Sequence, residues 1–177
     1  MKKLLVLTLI SILAFTFVSC QKKDDTIPDG MFYEQNDAVS YKLYLPEGWI
    51  VDRNDKMVSA HASEDDRSNV SVTAFSLPRQ FIGNLDEYIK SEYRDYLAKN
   101  LSGIEFLVDF EVSTLGTLDA RRAEFLANVG GIDYRFMQLL TQGPDGYVYI
   151  FTYTSTPDAF DSHSEEIQMI LDNFKLY

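Results

Sequence analysis

The chain has 177 residues, 24% of them charged and 46% hydrophobic, which are the proportions and length of one globular domain and exclude a disordered chain, a collagen-like fibre and a multi-span membrane protein. Its 27 acidic against 16 basic side chains leave a net charge of −11, a surface that repels phosphate backbones and argues against a nucleic-acid partner. The single cysteine excludes an internal disulfide framework.

Met1-Lys2-Lys3 is a short positive opening, and Leu4 to Val18 is an unbroken apolar run. Together they read as a secretory signal, shorter than the ~20 apolar residues of a bilayer span. The run ends at Phe17-Val18-Ser19-Cys20, which resembles the bacterial lipobox, with phenylalanine where leucine is usual. That resemblance implies removal of residues 1–19 and lipid on Cys20; the alternative is an ordinary signal peptide with an incidental cysteine. Residues 20–30 then comprise the lipidated cysteine and a polar stretch, QKKDDTIPDG, which cannot bury apolar area and reads as a flexible tether. The expected location is the cell membrane, lipid-anchored and facing the periplasm or the cell exterior. An acidic domain so tethered is not expected to adhere to anionic head groups.

Residues 31–177 read as a single domain. Val39, Tyr41, Leu43 and Leu45 alternate with Ser40, Lys42 and Tyr44, a half-buried strand that Pro46-Glu47-Gly48 ends. Met57 to Ala62 and Asn69 to Leu77 are two more, separated by the charged turn Ser63 to Ser68. A helix is predicted over Asn84 to Lys99, capped by Asn84 with Glu87 as capping-box partner, its stripe made by Leu85, Tyr88, Ile89, Tyr93, Tyr96 and Leu97. In the next strand Ile104, Phe106, Val108, Phe110 and Val112 are expected to share one face. Leu118 to Val129, Ile132 to Thr141 and Tyr147 to Ser155 follow across the turns Gly130-Gly131 and Gly143-Pro144-Asp145-Gly146. Tyr147 to Ser155 is apolar on both faces and wants cover on both sides of the sheet. A last helix is predicted over Pro157 to Leu171, with Thr156 as N-cap. These elements describe an α+β fold: an antiparallel sheet of about six or more strands covered by helices, an α/β/α sandwich.

Three stretches carry a family resemblance. Tyr44-Leu45-Pro46-Glu47-Gly48-Trp49 ends a strand in a Pro-x-Gly-Trp turn. Thr114-Leu115-Gly116 precedes a strand containing Ala120-Arg121-Arg122. Tyr147 to Thr154 leads through Phe160 to a helix ending Asn173-Phe174-Lys175. In this the chain resembles bacterial relatives of PsbP, the extrinsic photosystem subunit, and the DcrB-like lipoproteins. The resemblance implies an α/β/α sandwich and binding or assembly work rather than catalysis, with a protein partner it does not identify.

No Gly-x-Ser-x-Gly, phosphate loop or Gly-x-Gly-x-x-Gly follows a strand, so no enzyme activity and no cofactor is expected. His61 with Glu64, Asp65 and Asp66 offers an imidazole and carboxylates that suit Zn²⁺ or Mn²⁺; the same residues also make an ordinary solvated turn. His163, with Asp161 and Glu165, is the second metal candidate, or a boundary histidine packing its ring. Arg121-Arg122 is either a fork for an acidic group on a ligand or a pair of structural ion pairs, the two side chains pointing to opposite faces of a strand. Tyr33, Tyr41, Tyr44, Trp49, Tyr134, Tyr147, Tyr149 and Tyr153 are read as core packing, with some available to a partner surface.

Overall fold

The computed structural model describes residues 26–36, 39–54 and 57–177. The signal segment, Cys20 and residues 21–25 of the tether lie outside the described residues. A seven-stranded antiparallel sheet runs in the order β3-β4-β5-β9-β8-β7-β6, built from β3 (Ile50–Asn54), β4 (Met57–His61), β5 (Asn69–Ser76), β6 (Ser102–Leu115), β7 (Leu118–Val129), β8 (Ile132–Gln142) and β9 (Tyr147–Ser155). A second, three-stranded sheet joins β1 (Met31–Asn36), β2 (Tyr41–Pro46) and β10 (Lys175–Leu176). Three helical segments matter for packing: α1 (Leu85–Tyr88), α2 (Arg94–Asn100), joined to α1 by a π turn over Ile89–Tyr93, and α3 (Ser164–Asn173).

The two faces of the large sheet support separate cores. On one face Tyr149, Phe151 and Tyr153 of β9 pack with Ile167, Ile170 and Leu171 of α3 and with Tyr41, Leu43 and Leu45 of β2. On the other, Val148 and Ile150 of the same strand pack with Tyr88, Ile89, Tyr93 and Leu97 of the α1–α2 layer. β9 sits at the middle of the sheet, so a strand apolar on both sides is covered on both sides. Each large apolar side chain fully buried this way is worth about 1.5–3 kcal/mol relative to exposure. The fold is an α+β sandwich, with the small sheet sharing one outer layer with α3.

Some elements differ from the reading of the sequence. The last helix does not begin at Pro157. Ala159 N–H donates to Thr156 O and Ser162 N–H to Ala159 O, so residues 157–163 continue in tight i→i+3 turns, and α3 starts only at Ser164. Asn84 does cap α1, its side chain accepting from Glu87 N–H at 3.2 Å. The reciprocal half of the box is not made, because Asn84 N–H donates to Phe81 O. In β6, Phe106 and Phe110 reach the core under α2, but Val112 is 82% exposed. Register shifts after Ser102, Phe106 and Val108 interrupt the ladder, and Phe110 takes φ 51°, so simple alternation does not survive along the strand.

Candidate functional site

The π turn is the local origin of the site. Residues five apart lie on different faces of a regular α-helix. The wider turn over Ile89–Tyr93 instead brings Tyr88 and Tyr93 together, with ring centroids 6.1 Å apart. Tyr96 stacks on Tyr93 one turn on, at 6.0 Å and 20° between planes. Single π turns inside helices recur at functional sites. Here the turn presents three tyrosines and Leu97 toward the sheet across a cleft of about 560 Å³.

The floor of that cleft comes from three neighbouring strands: Thr73 and Phe75 of β5, Ile150 and Thr152 of β9, Phe136 and Gln138 of β8. Asn100 and Leu101 close one end. One buried polar chain crosses the apolar interior. Tyr93 O–H donates to Gln138 Oε1 at 3.0 Å, and Gln138 Nε2 donates to Thr152 Oγ1 at 3.3 Å. Burial pushes the phenol of Tyr93 well above its usual pKa, with Tyr88 beside it adding to the shift; Tyr88 is raised by burial too. Both phenols are therefore neutral donors throughout the physiological range. No charged side chain lines the cleft. Its size and its apolar walls with few polar groups match those of small-molecule sites.

The residues singled out in the sequence lie elsewhere. His61 Nδ1 meets Asp52 Oδ2 at 2.9 Å, while Glu64 and Asp65 face solvent. Asp66 turns away from His61 and binds His163 Nε2 at 2.8 Å. The other nitrogen of His163 meets Glu166 at 2.5 Å, in place of the expected Asp161 and Glu165. Among the described residues no group of three or more His, Cys, Asp or Glu could hold a metal ion. Burial pushes His163 down, but hydrogen bonds to Asp66 and Glu166 outweigh it and leave its pKa raised. The bond from His163 holds the Asp66 carboxyl down at about 2. Trp49 completes the group, its ring edge-on to His163 at 5.8 Å and its Nε1 donating to Glu166 at 3.3 Å.

Arg121 and Arg122 do point to opposite faces. Arg121 forks onto Asp86 of α1 at 2.6 and 2.8 Å, holding that carboxyl below its usual range. Arg122 binds Glu124, whose side chain is 4% exposed. Glu124 also takes Arg135 at 2.7 Å, and Arg135 lies 4.0 Å over the Phe160 ring. Arg122, Glu124, Arg135 and Phe160 line a second cavity, of about 290 Å³, between the sheet and α3.

The sequence reading placed Tyr88, Tyr93, Tyr96 and Leu97 on a helical core stripe and so missed the cleft. The available signal was the five-then-three spacing of the tyrosines, which a regular helix does not hold on one face. Among the described residues no helix is long and apolar enough to cross a membrane.

No family model matches the chain, and no curated protein does. Solved structures do. The solution structure of cyanobacterial PsbP from Synechocystis sp. PCC 6803 aligns with TM-score 0.61 at 16% identity, covering 84% of this chain and 93% of that one. LpqN, involved in cell envelope biogenesis of Mycobacterium tuberculosis, aligns with TM-score 0.56 at 13% identity, covering 82% and 90%. The Ran-binding protein Mog1p of Saccharomyces cerevisiae aligns with TM-score 0.57 at 9% identity, covering 82% and 95%. The chain thus has a PsbP-like fold, and at these identities the likeness speaks for the fold alone.

Proposed function

We propose that this protein is a non-enzymatic binding module, held outside the cytoplasm by lipid on Cys20 in the manner of the DcrB-like lipoproteins, and that the cleft beneath α1–α2 is its binding element. The ligand is an uncharged, largely apolar small molecule. The observation that carries this is the lining of the cleft. Aromatic and aliphatic walls surround a single neutral polar chain, Tyr93–Gln138–Thr152. A carboxylate or ammonium inside would have no counter-charge, at a cost of several kcal/mol. The involvement of LpqN in cell envelope biogenesis and the Ran binding of Mog1p, both of the same fold, are consistent with binding work, and the apolar run ending at Phe17-Val18-Ser19-Cys20 supports the anchor.

The test is titration with an uncharged environment-sensitive dye such as N-phenyl-1-naphthylamine. Thr73 is exposed and lines the cleft, so Thr73→Arg places a charge there without disturbing either core. The expected outcome is saturable fluorescence enhancement in the wild type and affinity reduced about tenfold or more in the variant. Equal titration curves would remove the cleft as the binding element.

A further inference from the structure

The cavity between the sheet and α3 differs in chemistry from the cleft, and we infer that it is a second binding site, for a small carboxylate carrying a short apolar tail. This does not rest on the reading of the cleft. Arg122 and Glu124 stand two apart on β7 and so share one face of the strand. Arg135 of β8 lies diagonally across from Glu124, since Glu124 pairs with Met137 and Leu126 with Arg135. The buried Glu124 is shared: Arg122 Nη2 donates to its Oε1 and Arg135 Nη2 to its Oε2. One carboxylate thus holds two permanently charged guanidiniums side by side, and one positive charge is left over.

Asp161 is the other acid on the cavity wall. Its side chain is 83% exposed and meets Arg135 Nη1 only at 3.5 Å, a contact that water screens. The Nε–H of Arg135 is buried and has no hydrogen-bond partner among the described residues. Such a donor is costly to leave unpaired, above all on a charged group, and a carboxylate oxygen is the acceptor that suits it. Ser113 and Thr114 of β6 add hydroxyls to the same wall. Leu139, Ile167 and Leu171 give it an apolar side, and the Tyr153 phenol is already bonded to Phe160 O. A guanidinium pair beside an aliphatic wall calls for an anionic head and a tail in one molecule. About 290 Å³ is at the lower end for a ligand site, which keeps that tail short. The net charge of −11 does not exclude an anion, because exposed charges are screened beyond roughly 8 Å in physiological salt.

The experiment modifies the arginines of the full chain with phenylglyoxal, and mass spectrometry reads each site. Arg122, with 41% of its side chain exposed, is open to the reagent. Arg79, exposed and outside the cavity wall, is the internal reference. Hexanoate is expected to slow modification of Arg122 saturably and to leave Arg79 unchanged. Acetate, which lacks the tail, should need a concentration about tenfold higher or more, and so should hexanamide, which has the tail without the charge. Asp161→Asn removes an exposed like charge and leaves both cores intact. It should lower the half-protecting concentration of hexanoate about threefold. No protection, equal slowing at Arg79, equal potency of acetate or hexanamide, or an unmoved midpoint in Asp161→Asn overturns the inference. Displacement of N-phenyl-1-naphthylamine by hexanoate would put the acid in the cleft instead, and overturns it too.

Discussion

His163 holds a carboxylate on each ring nitrogen, Asp66 at 2.8 Å and Glu166 at 2.5 Å, an arrangement only the doubly protonated ring satisfies. It joins the β4–β5 loop to the start of α3, with Trp49 laid against His163 and bonded to Glu166. Its pKa is raised on folding, so its stabilisation is complete below its unfolded value near 6.5 and is lost as pH rises through the folded value. Asp66 runs the other way. Its carboxyl is depressed to about 2, so its contribution is present above its unfolded value near 3.9 and is lost as pH falls toward 2. The clamp is thus strongest between about pH 4 and 6.5. His163→Gln is expected to lower stability by about 2 kcal/mol at pH 6, with the gap to wild type narrowing as the pH is raised above neutrality. Urea unfolding followed by Trp49 fluorescence measures both; a gap that does not change with pH would mean that the ring is not charged in the folded protein. Nothing in the sequence pointed to the pair, since 97 positions separate Asp66 from His163. Reading each histidine with its chain neighbours put Asp66 with His61 and set Asp161, Glu165 and Glu166 beside His163, of which the fold uses Glu166.

The β6–β7 turn shows what a single glycine does for an element. Gly116 has φ 59°, and a Cβ there would lie 2.2 Å from the Phe174 carbonyl oxygen. Its N–H donates to Leu171 O at 2.7 Å, so the turn fastens to the C-terminal end of α3. Gly116→Ala is expected to cost about 3 kcal/mol or more, from backbone strain and the displaced helix end together; a shift in urea midpoint equivalent to less than half of that would show that the turn can move aside. Elements of this kind were legible where a local pattern had one physical meaning. β7 and β9 were read to within a residue, each bounded by glycine-containing turns. Thr156-Pro157 was misread because a proline suited to the first turn of a helix suits a tight turn equally well. β1, Met-Phe-Tyr-Glu-Gln-Asn, has no period-two pattern to find, since Tyr33 and Gln35 face outward beside an inner row of which Glu34 is part. The cleft showed only in the five-then-three spacing of its tyrosines. Its walls are ordinary core residues, and only the π turn, which no propensity announces, leaves space between them.

At the scale of the whole molecule, the two layers are fastened differently. The α3 layer is tied by the His163 clamp, by Gly116 to Leu171, and by Tyr153 O–H to Phe160 O at 2.9 Å. The α1–α2 layer borders the cleft and packs on the sheet through Tyr88, Ile89, Tyr93 and Leu97, with Tyr93–Gln138 and the ion pairs Arg121–Asp86 and Arg94–Asp109 as its polar ties. Hydrogen exchange is expected to report this: amides of residues 85–100 should open well before those of β8 and β9, and occupancy of the cleft should slow them selectively. Uniform protection across both layers would contradict the binding proposal, because a cleft that ligand can enter needs a layer that yields. The other end of the sheet has a different consequence. β6 is a fourteen-residue outer strand that, among the described residues, pairs with β7 alone. An even edge of that length would invite a neighbour to add its own strand and the next to follow, the first step of fibril growth. The three register breaks and the left-handed Phe110 leave such a neighbour no continuous line of donors and acceptors to extend.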